Sequence, residues 1–158
     1  MGKLTVHSLR VVMVALLAGS LIVQAFIVPL LAKDLEGLDP AYSFLRVPLP
    51  AIVFLGVVAG QVIVVCVWRL VAMVRRGTVF SHASFRYVDV IIGAIGAGAL
   101  LVFALGFLLA PGEAVAPGVV LLVGGVGLAI VGVALVVVVL RALLAQAVRM
   151  EAELEEVV

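Results

Sequence analysis

Few side chains inside the long apolar runs of this 158-residue sequence carry groups that could take part in chemistry. The polar ones are one serine, two glutamines and the only cysteine of the chain: Ser20, Gln24, Gln61 and Cys66. Hydroxyl and amide groups donate and accept hydrogen bonds, but they do not ionise near neutral pH. Ser20, Gln24 and Gln61 are therefore suited to binding or bridging, and not to proton transfer.

The residue types that are missing from the apolar runs restrict the possible functions further. Apart from Asp89, at the edge of one run, the runs contain no acidic, basic or histidine side chain, and a lone cysteine forms no internal disulfide. A proton-coupled exporter needs a buried acidic residue, and a quinone-linked thiol oxidoreductase needs paired cysteines. We predict that the chain is not an enzyme, with no catalytic, metal-ligating or cofactor-binding residues and no cofactor.

The composition indicates that lipid surrounds these runs. The chain is 66% hydrophobic and 12% charged, with a mean hydropathy of +1.45, whereas soluble proteins are about 25% charged. About 20 apolar residues cross a bilayer, and backbone groups in hydrocarbon must be paired within their own segment, so each run is predicted to be a helix. We predict an all-α membrane protein, a four-transmembrane-helix bundle formed by one domain over residues 1–158, with spans at about 11–32, 49–68, 88–110 and 119–140.

The first run also resembles a signal peptide, but it is longer than the usual apolar region of one and no A-x-A site follows it. We expect it to remain as a span.

Basic residues are divided unequally between the two ends of the predicted spans. Lys33 and Arg46 lie between the first two spans, and the other eight lie near the termini or between the second and third spans: Lys3, Arg10, Arg69, Arg75, Arg76, Arg86, Arg141 and Arg149. The positive-inside rule then places both termini, the inner loop (69–87) and the tail (141–158) in the cytoplasm. Abundant arginine, alanine and valine are typical of high-GC bacteria, so we expect a multi-pass protein of the bacterial inner (cell) membrane.

The intramembrane polar residues Ser20, Gln24 and Gln61 have a simple structural interpretation. Ser20 and Gln24 are four residues apart and share a helix face. Ser20 and Gln61 lie at similar depths in their spans, so we predict a hydrogen bond between the first two helices, of about 0.6 kcal/mol and at most about 1.7 kcal/mol. A bridge between helices is favoured over a ligand site.

Glycine is frequent in the last three spans and forms a GxxxG pair at Gly56 and Gly60. Small residues let helices approach closely in lipid. We expect this packing within one bundle, with a homo-oligomer seam as the alternative.

The predicted cytoplasmic side carries the candidate partner surface. In the inner loop it comprises Arg75, Arg76, Phe80, Ser81 and Arg86, where Gly77 is expected to end one helix and Ser81 to cap the next. The alternative is that this loop only fixes topology. In the tail, three–four spacing predicts an apolar helix face at Leu143, Ala147, Met150 and Leu154. The glutamates near the end of the tail either dock on the loop arginines or remain solvated.

Two motifs resemble a bacterial family of unknown function. "RGTVFSHASFRYVDVIIGA" and the ending "ALLAQAVRMEAELEEVV" are similar to the signature of domain-of-unknown-function family 2975, although Asp89 stands where many members carry arginine. The resemblance implies a four-span membrane protein without an established activity. Because members are often encoded beside a helix-turn-helix regulator, it also implies such a soluble regulator as a partner.

The prediction for function is thus a non-enzymatic interaction, sensing or regulatory membrane protein acting through its cytoplasmic loop and C-terminal helix. Its partners would be the lipid bilayer and a soluble helix-turn-helix regulator or another membrane protein, without direct nucleic acid binding. The main alternative is a small-molecule or lipid-binding bundle, or a transporter for apolar compounds, with a cavity near Gln61. A structural subunit of a larger complex is the third class.

Overall fold

A computed structural model describes residues 2–79 and 81–157, so the candidate residue Phe80 and the terminal Val158 lie outside the described part. The helices are connected by two short 3₁₀ turns (Pro40–Leu45 and Pro111–Glu113). The helical elements, in chain order, are α1 (Lys3–Ile22), a π-helical turn (Val23–Ile27), α2 (Val28–Glu36), α3 (Pro48–Arg76), α4 (His82–Leu109) and α5 (Pro117–Val157).

Four helical segments are long and apolar enough to cross a membrane: Lys3–Glu36, Pro40–Arg76, His82–Leu109 and Pro117–Val157. The predicted four-span, all-helical fold is confirmed. At the end that carries most of the arginines, here called the basic end, the helices continue beyond the apolar runs. For example, α3 reaches Arg76 and α5 continues to Val157, because arginine, alanine, leucine and glutamate all favour helix.

The first membrane-length segment is interrupted by the π-helical turn at Val23–Ile27. Two residues later Pro29 occupies the first turn of α2, and a proline inside a helix lacks an N–H and crowds the carbonyl four residues before it. The amide of Val28 instead donates to the carbonyl of Val23, five residues back. The helix therefore adapts locally before Pro29 and continues to Glu36.

The helices pack mainly with their neighbours in sequence. α4 lies between α3 and α5 and contacts both extensively, whereas α1 packs against α3 over a shorter stretch. At the α4–α5 contact, Gly127 faces the ring of Phe103, and a Cβ built on Gly127 would lie 2.9 Å from Cε1 of that ring. Glycine is therefore required where this aromatic ring meets the α5 backbone.

The two glycines of the GxxxG pair make no close contact of this kind with another described helix. A Cβ at Gly56 or Gly60 would meet no heavy atom within 4 Å among the described residues. The expectation that this pair packs closely within the bundle is wrong, because neither glycine faces a neighbouring backbone. The close helix approach occurs at Gly127 instead, outside that motif.

At the opposite end of the bundle, the connection between α2 and α3 packs on the connection between α4 and α5. Leu35 and Leu45 are buried there, and the Phe44 ring lies against Gly112, where a Cβ would be 3.4 Å from Cζ. Gly112 has φ of 83°, a conformation that glycine adopts without strain. The connection between α2 and α3 is thus packed into the protein through Leu35, Phe44 and Leu45.

We expect Gly127→Ala to lower the free energy of unfolding by about 1–3 kcal/mol, because the new methyl group must displace the Phe103 ring. Gly132→Ala is the matched control: it lies on the same helix, and a Cβ there has no described heavy atom within 4 Å. Thermal unfolding in detergent would compare them. Equal destabilisation of both variants would contradict this packing.

Candidate functional site

The polar cluster, defined as Ser20, Gln24 and Gln61, connects the first helical segment to α3. The side-chain amide of Gln61 donates to Oγ of Ser20 at 3.0 Å and to Oε1 of Gln24 at 2.9 Å. Ser20 in turn donates to the carbonyl of Leu17 at 2.8 Å. The predicted Ser20–Gln61 hydrogen bond is present, and Gln24 joins it.

The geometry of the polar cluster favours bridging over ligand binding. A primary amide has two N–H groups, and Gln61 directs one to Ser20 and the other to Gln24. Gln24 lies in the π-helical turn, at the second of its residues. Because α1 and α3 share only a short packing surface, these hydrogen bonds supplement the contact between the first helical segment and α3.

The end of α3 and the start of α4 are built as the sequence predicts, with one difference. Gly77 has φ of 72°, its N–H donates to Val74, and that of Thr78 donates to Met73, which is the Schellman pattern. Ser81 occupies the N-cap position of α4, but its hydroxyl donates to the carbonyl of Thr78 at 2.7 Å. Its side chain thus stabilises the turn and does not cap the helix.

One residue in the first turn of α4 was not among the candidates that the sequence suggested. Ser84 is completely buried, and its hydroxyl donates to the carbonyl of Ser81 at 2.7 Å. A small hydroxyl residue that bonds its own backbone can be buried at a helix contact without an unpaired polar group. Because nearly all of α4 is apolar, the spacing of its residues does not mark Ser84 as buried.

The arginines of the predicted partner surface lie in different surroundings. Arg75 and Arg76 are exposed at the end of α3 and line clefts shared with α1. Arg86 is exposed on α4. The structure therefore groups Arg75 and Arg76 with α1, and not with the tail.

The apolar face of the tail is uncovered. Leu143, Met150 and Leu154 are 54%, 60% and 67% exposed, and Ala147 beside them is partly exposed. Within residues 2–79 and 81–157, the only ion pair is between Arg141 and Asp89. The described tail glutamates therefore form no ion pair with the loop arginines, and the docking hypothesis has no support from the structure.

That ion pair holds the base of the tail. Nε of Arg141 donates to Oδ1 of Asp89, and Nη2 donates to Oδ2 at 3.2 Å. The Arg141 guanidinium also lies over the ring of Phe85, 5.3 Å from its centroid. The sequence did not indicate this contact, because the two charges are 52 positions apart. It joins α4 and α5 where the apolar run of α5 ends at Leu140.

Together these features define an all-α protein with four membrane-length helices, a polar contact between the first two spans and an uncovered helical tail. The chain belongs to the family described as "Protein of unknown function (DUF2975)", whose model matches residues 30–158. This confirms the resemblance seen in the loop and tail motifs, and Ser20 and Gln24 precede the matched region. No curated protein and no solved structure matches the chain.

A double-mutant cycle tests the polar cluster. We expect Ser20→Ala and Gln61→Leu to show a coupling free energy of about 0.6 kcal/mol, at most about 1.7 kcal/mol, because each removes one partner of the same hydrogen bond. Reversible unfolding in mixed micelles would measure it. Ser20→Ala combined with the unconnected Arg149→Gln should be additive, and additivity of the Ser20–Gln61 pair would show that the bond does not contribute.

Proposed function

We propose that this chain is a non-enzymatic membrane protein that docks a soluble partner on the extension of α5, and so acts in sensing or regulation. The observation that carries the proposal is the uncovered apolar face at Leu143, Met150 and Leu154. In the proposed orientation this face lies in the cytoplasm, where lipid does not cover it. Uncovered apolar faces of this kind are typical of protein–protein contacts.

The length of α5 supports a projecting surface. A helix of 41 residues is about 60 Å long, whereas the hydrocarbon core is about 30 Å thick. The part beyond Leu140 therefore extends past the predicted span. The ion pair between Asp89 and Arg141 restrains its base, so the apolar face is presented by a positioned helix.

The charge of the tail favours a basic partner. Four glutamates lie in its last eight residues: Glu151, Glu153, Glu155 and Glu156. DNA-binding proteins carry basic surfaces, so a helix-turn-helix regulator, the partner that the family resemblance implies, has the complementary charge. Held at the membrane, such a regulator would be separated from DNA by an acidic helix that competes for its basic residues.

An apolar groove favours the second candidate function, binding or transport of apolar compounds. It lies between α3 and α4, has a volume of about 640 Å³, and is lined by residues such as Ala59, Val62, Ala94, Ala97 and Leu101. The polar cluster is not part of its lining. In a membrane an acyl chain fits this groove, so the groove by itself supports lipid contact more than selective transport.

Orientation is the first requirement of the proposal. We expect a reporter that is active only in the cytoplasm to be active when fused after Val158, and a cysteine introduced at Gly77 to resist a membrane-impermeant reagent in intact cells, because most basic residues lie at this end. A cysteine at Asp39 is the matched control and should react. Labelling at position 77 in intact cells would contradict the orientation.

The partner surface is tested with two substitutions that add the same charge. We expect Leu154→Glu to weaken binding of the regulator encoded by the neighbouring gene about tenfold or more, since a buried leucine contributes about 1.5–3 kcal/mol. Ala152→Glu, on the opposite face of the tail, should bind within about twofold of the unmodified protein. Binding of the purified regulator to the full chain in nanodiscs gives both values. Equal effects of the two variants, or no binding by the unmodified protein, would contradict the proposal.

A further inference from the structure

A cleft at the basic end separates the first turns of α1 from the last turns of α3. Its volume is about 320 Å³, and it is lined by Lys3, Val6, His7, Arg10, Val74 and Arg75. A second cleft of about 300 Å³ is lined by Ala72 and Arg76 together with the same Arg10 and Arg75. Because both clefts share these two arginines, they adjoin, and we call them together the basic cleft.

The cations of the basic cleft have no carboxylate partner in the described part of the chain. The one salt bridge between described residues is at Asp89 and Arg141, on α4 and α5. Lys3, Arg10, Arg75 and Arg76 therefore converge from two helices without a neutralising charge. Like charges that converge in this way repel each other, and an anion between them relieves the repulsion.

Arg10 also makes a cation–π contact with an aromatic ring of α3. Its guanidinium lies over Trp68, 5.8 Å from the ring centroid. Arg10 immediately precedes the apolar run that begins at Val11, and Trp68 is the last residue of the second predicted span. Tryptophan prefers the level of lipid headgroups, so the basic cleft lies at the depth where phospholipid phosphates are found.

We propose that the basic cleft binds the phosphate of an anionic phospholipid headgroup, with Arg10 and Arg75 as its main ligands. Guanidinium groups bind phosphate oxygens in pairs, and basic pockets between membrane helices at the cytoplasmic side bind anionic headgroups. The buried Val6 and the neighbouring Val74 form the apolar wall of the cleft. The exposed aliphatic residues of α1 that follow Arg10, among them Val11 and Val14, offer a surface for the acyl chains.

The ligand chemistry is a phosphate monoanion, which a lipid or free inorganic phosphate can supply. Only the lipid has a chain that follows the helices into the membrane. The proposal commits to the lipid, and free phosphate is one arm of the test. This surface is separate from the tail face, so its failure would leave the proposed partner docking untouched.

The test titrates the delipidated full chain, in a neutral detergent, with phosphatidylglycerol and counts bound lipid by native mass spectrometry. We expect retention of phosphatidylglycerol over phosphatidylcholine by the unmodified protein. Arg10→Gln combined with Arg75→Gln should weaken retention about thirtyfold, as expected for two contacts between arginine and anionic lipid. Arg86→Gln combined with Arg149→Gln, which removes the same charge outside the cleft, should leave retention within about threefold.

Three results would overturn the proposal: equal loss in both double variants, equal retention of the two lipids, or complete displacement of phosphatidylglycerol by millimolar inorganic phosphate. The single variant Arg75→Gln separates loss of lipid binding from misfolding, because it leaves the contact between Arg10 and Trp68 in place. It should fold, with a melting temperature close to that of the unmodified protein, and still lose about fivefold in retention of phosphatidylglycerol. Unchanged retention in this variant would also contradict the proposal.

Discussion

Backbone hydrogen bonding in hydrocarbon is the constraint from which the rest of this structure follows. Without water, each N–H and C=O of the four apolar runs must find a partner in its own segment, which leaves helix as the conformation even for the valine-rich α5. The same constraint explains the first segment. Where Pro29 removes a donor, the chain forms a π-helical turn at Val23–Ile27 and continues as helix. The turn also contains Gln24, so the local adjustment and the contact with α3 occur at the same place.

The helices are held together by different means on the two sides of the bundle. Between α4 and α5 the contact is mainly steric, with the ring of Phe103 against Gly127, and the ion pair of Asp89 with Arg141 adds to it near the tail. Between α1 and α3 the packing surface is short, and the hydrogen bonds of Gln61 and the contact of Arg10 with Trp68 supplement it. Hydrogen bonds between membrane helices are weak individually. The first segment is therefore the least firmly attached of the four.

Features that depend on local sequence were predictable, and features that depend on the relative rotation of helices were not. The number of spans followed from the length of the apolar runs. The end of α3 followed from Gly77, because glycine readily adopts the left-handed backbone conformation that often ends a helix. The contact of Ser20 with Gln61 was found because few polar residues lie at that depth. Other contacts depend on which helix faces meet, and the sequence does not show this. They are the pairing of Asp89 with Arg141, the burial of Ser84, and the close helix contact at Gly127 and not at Gly56. Hydrophobic periodicity does not give this in lipid, since all faces of these helices are apolar.

The packing of Phe44 against Gly112 has a practical consequence for anyone who wishes to attach something to this molecule. The connection between α2 and α3 contacts the connection between α4 and α5 through this ring. A peptide inserted after Gly112 would therefore have to displace the Phe44 ring. The end of α5 is free of such contacts among the described residues and is exposed up to Val157. Affinity tags and fluorophores are therefore better attached after α5 than inserted between α4 and α5.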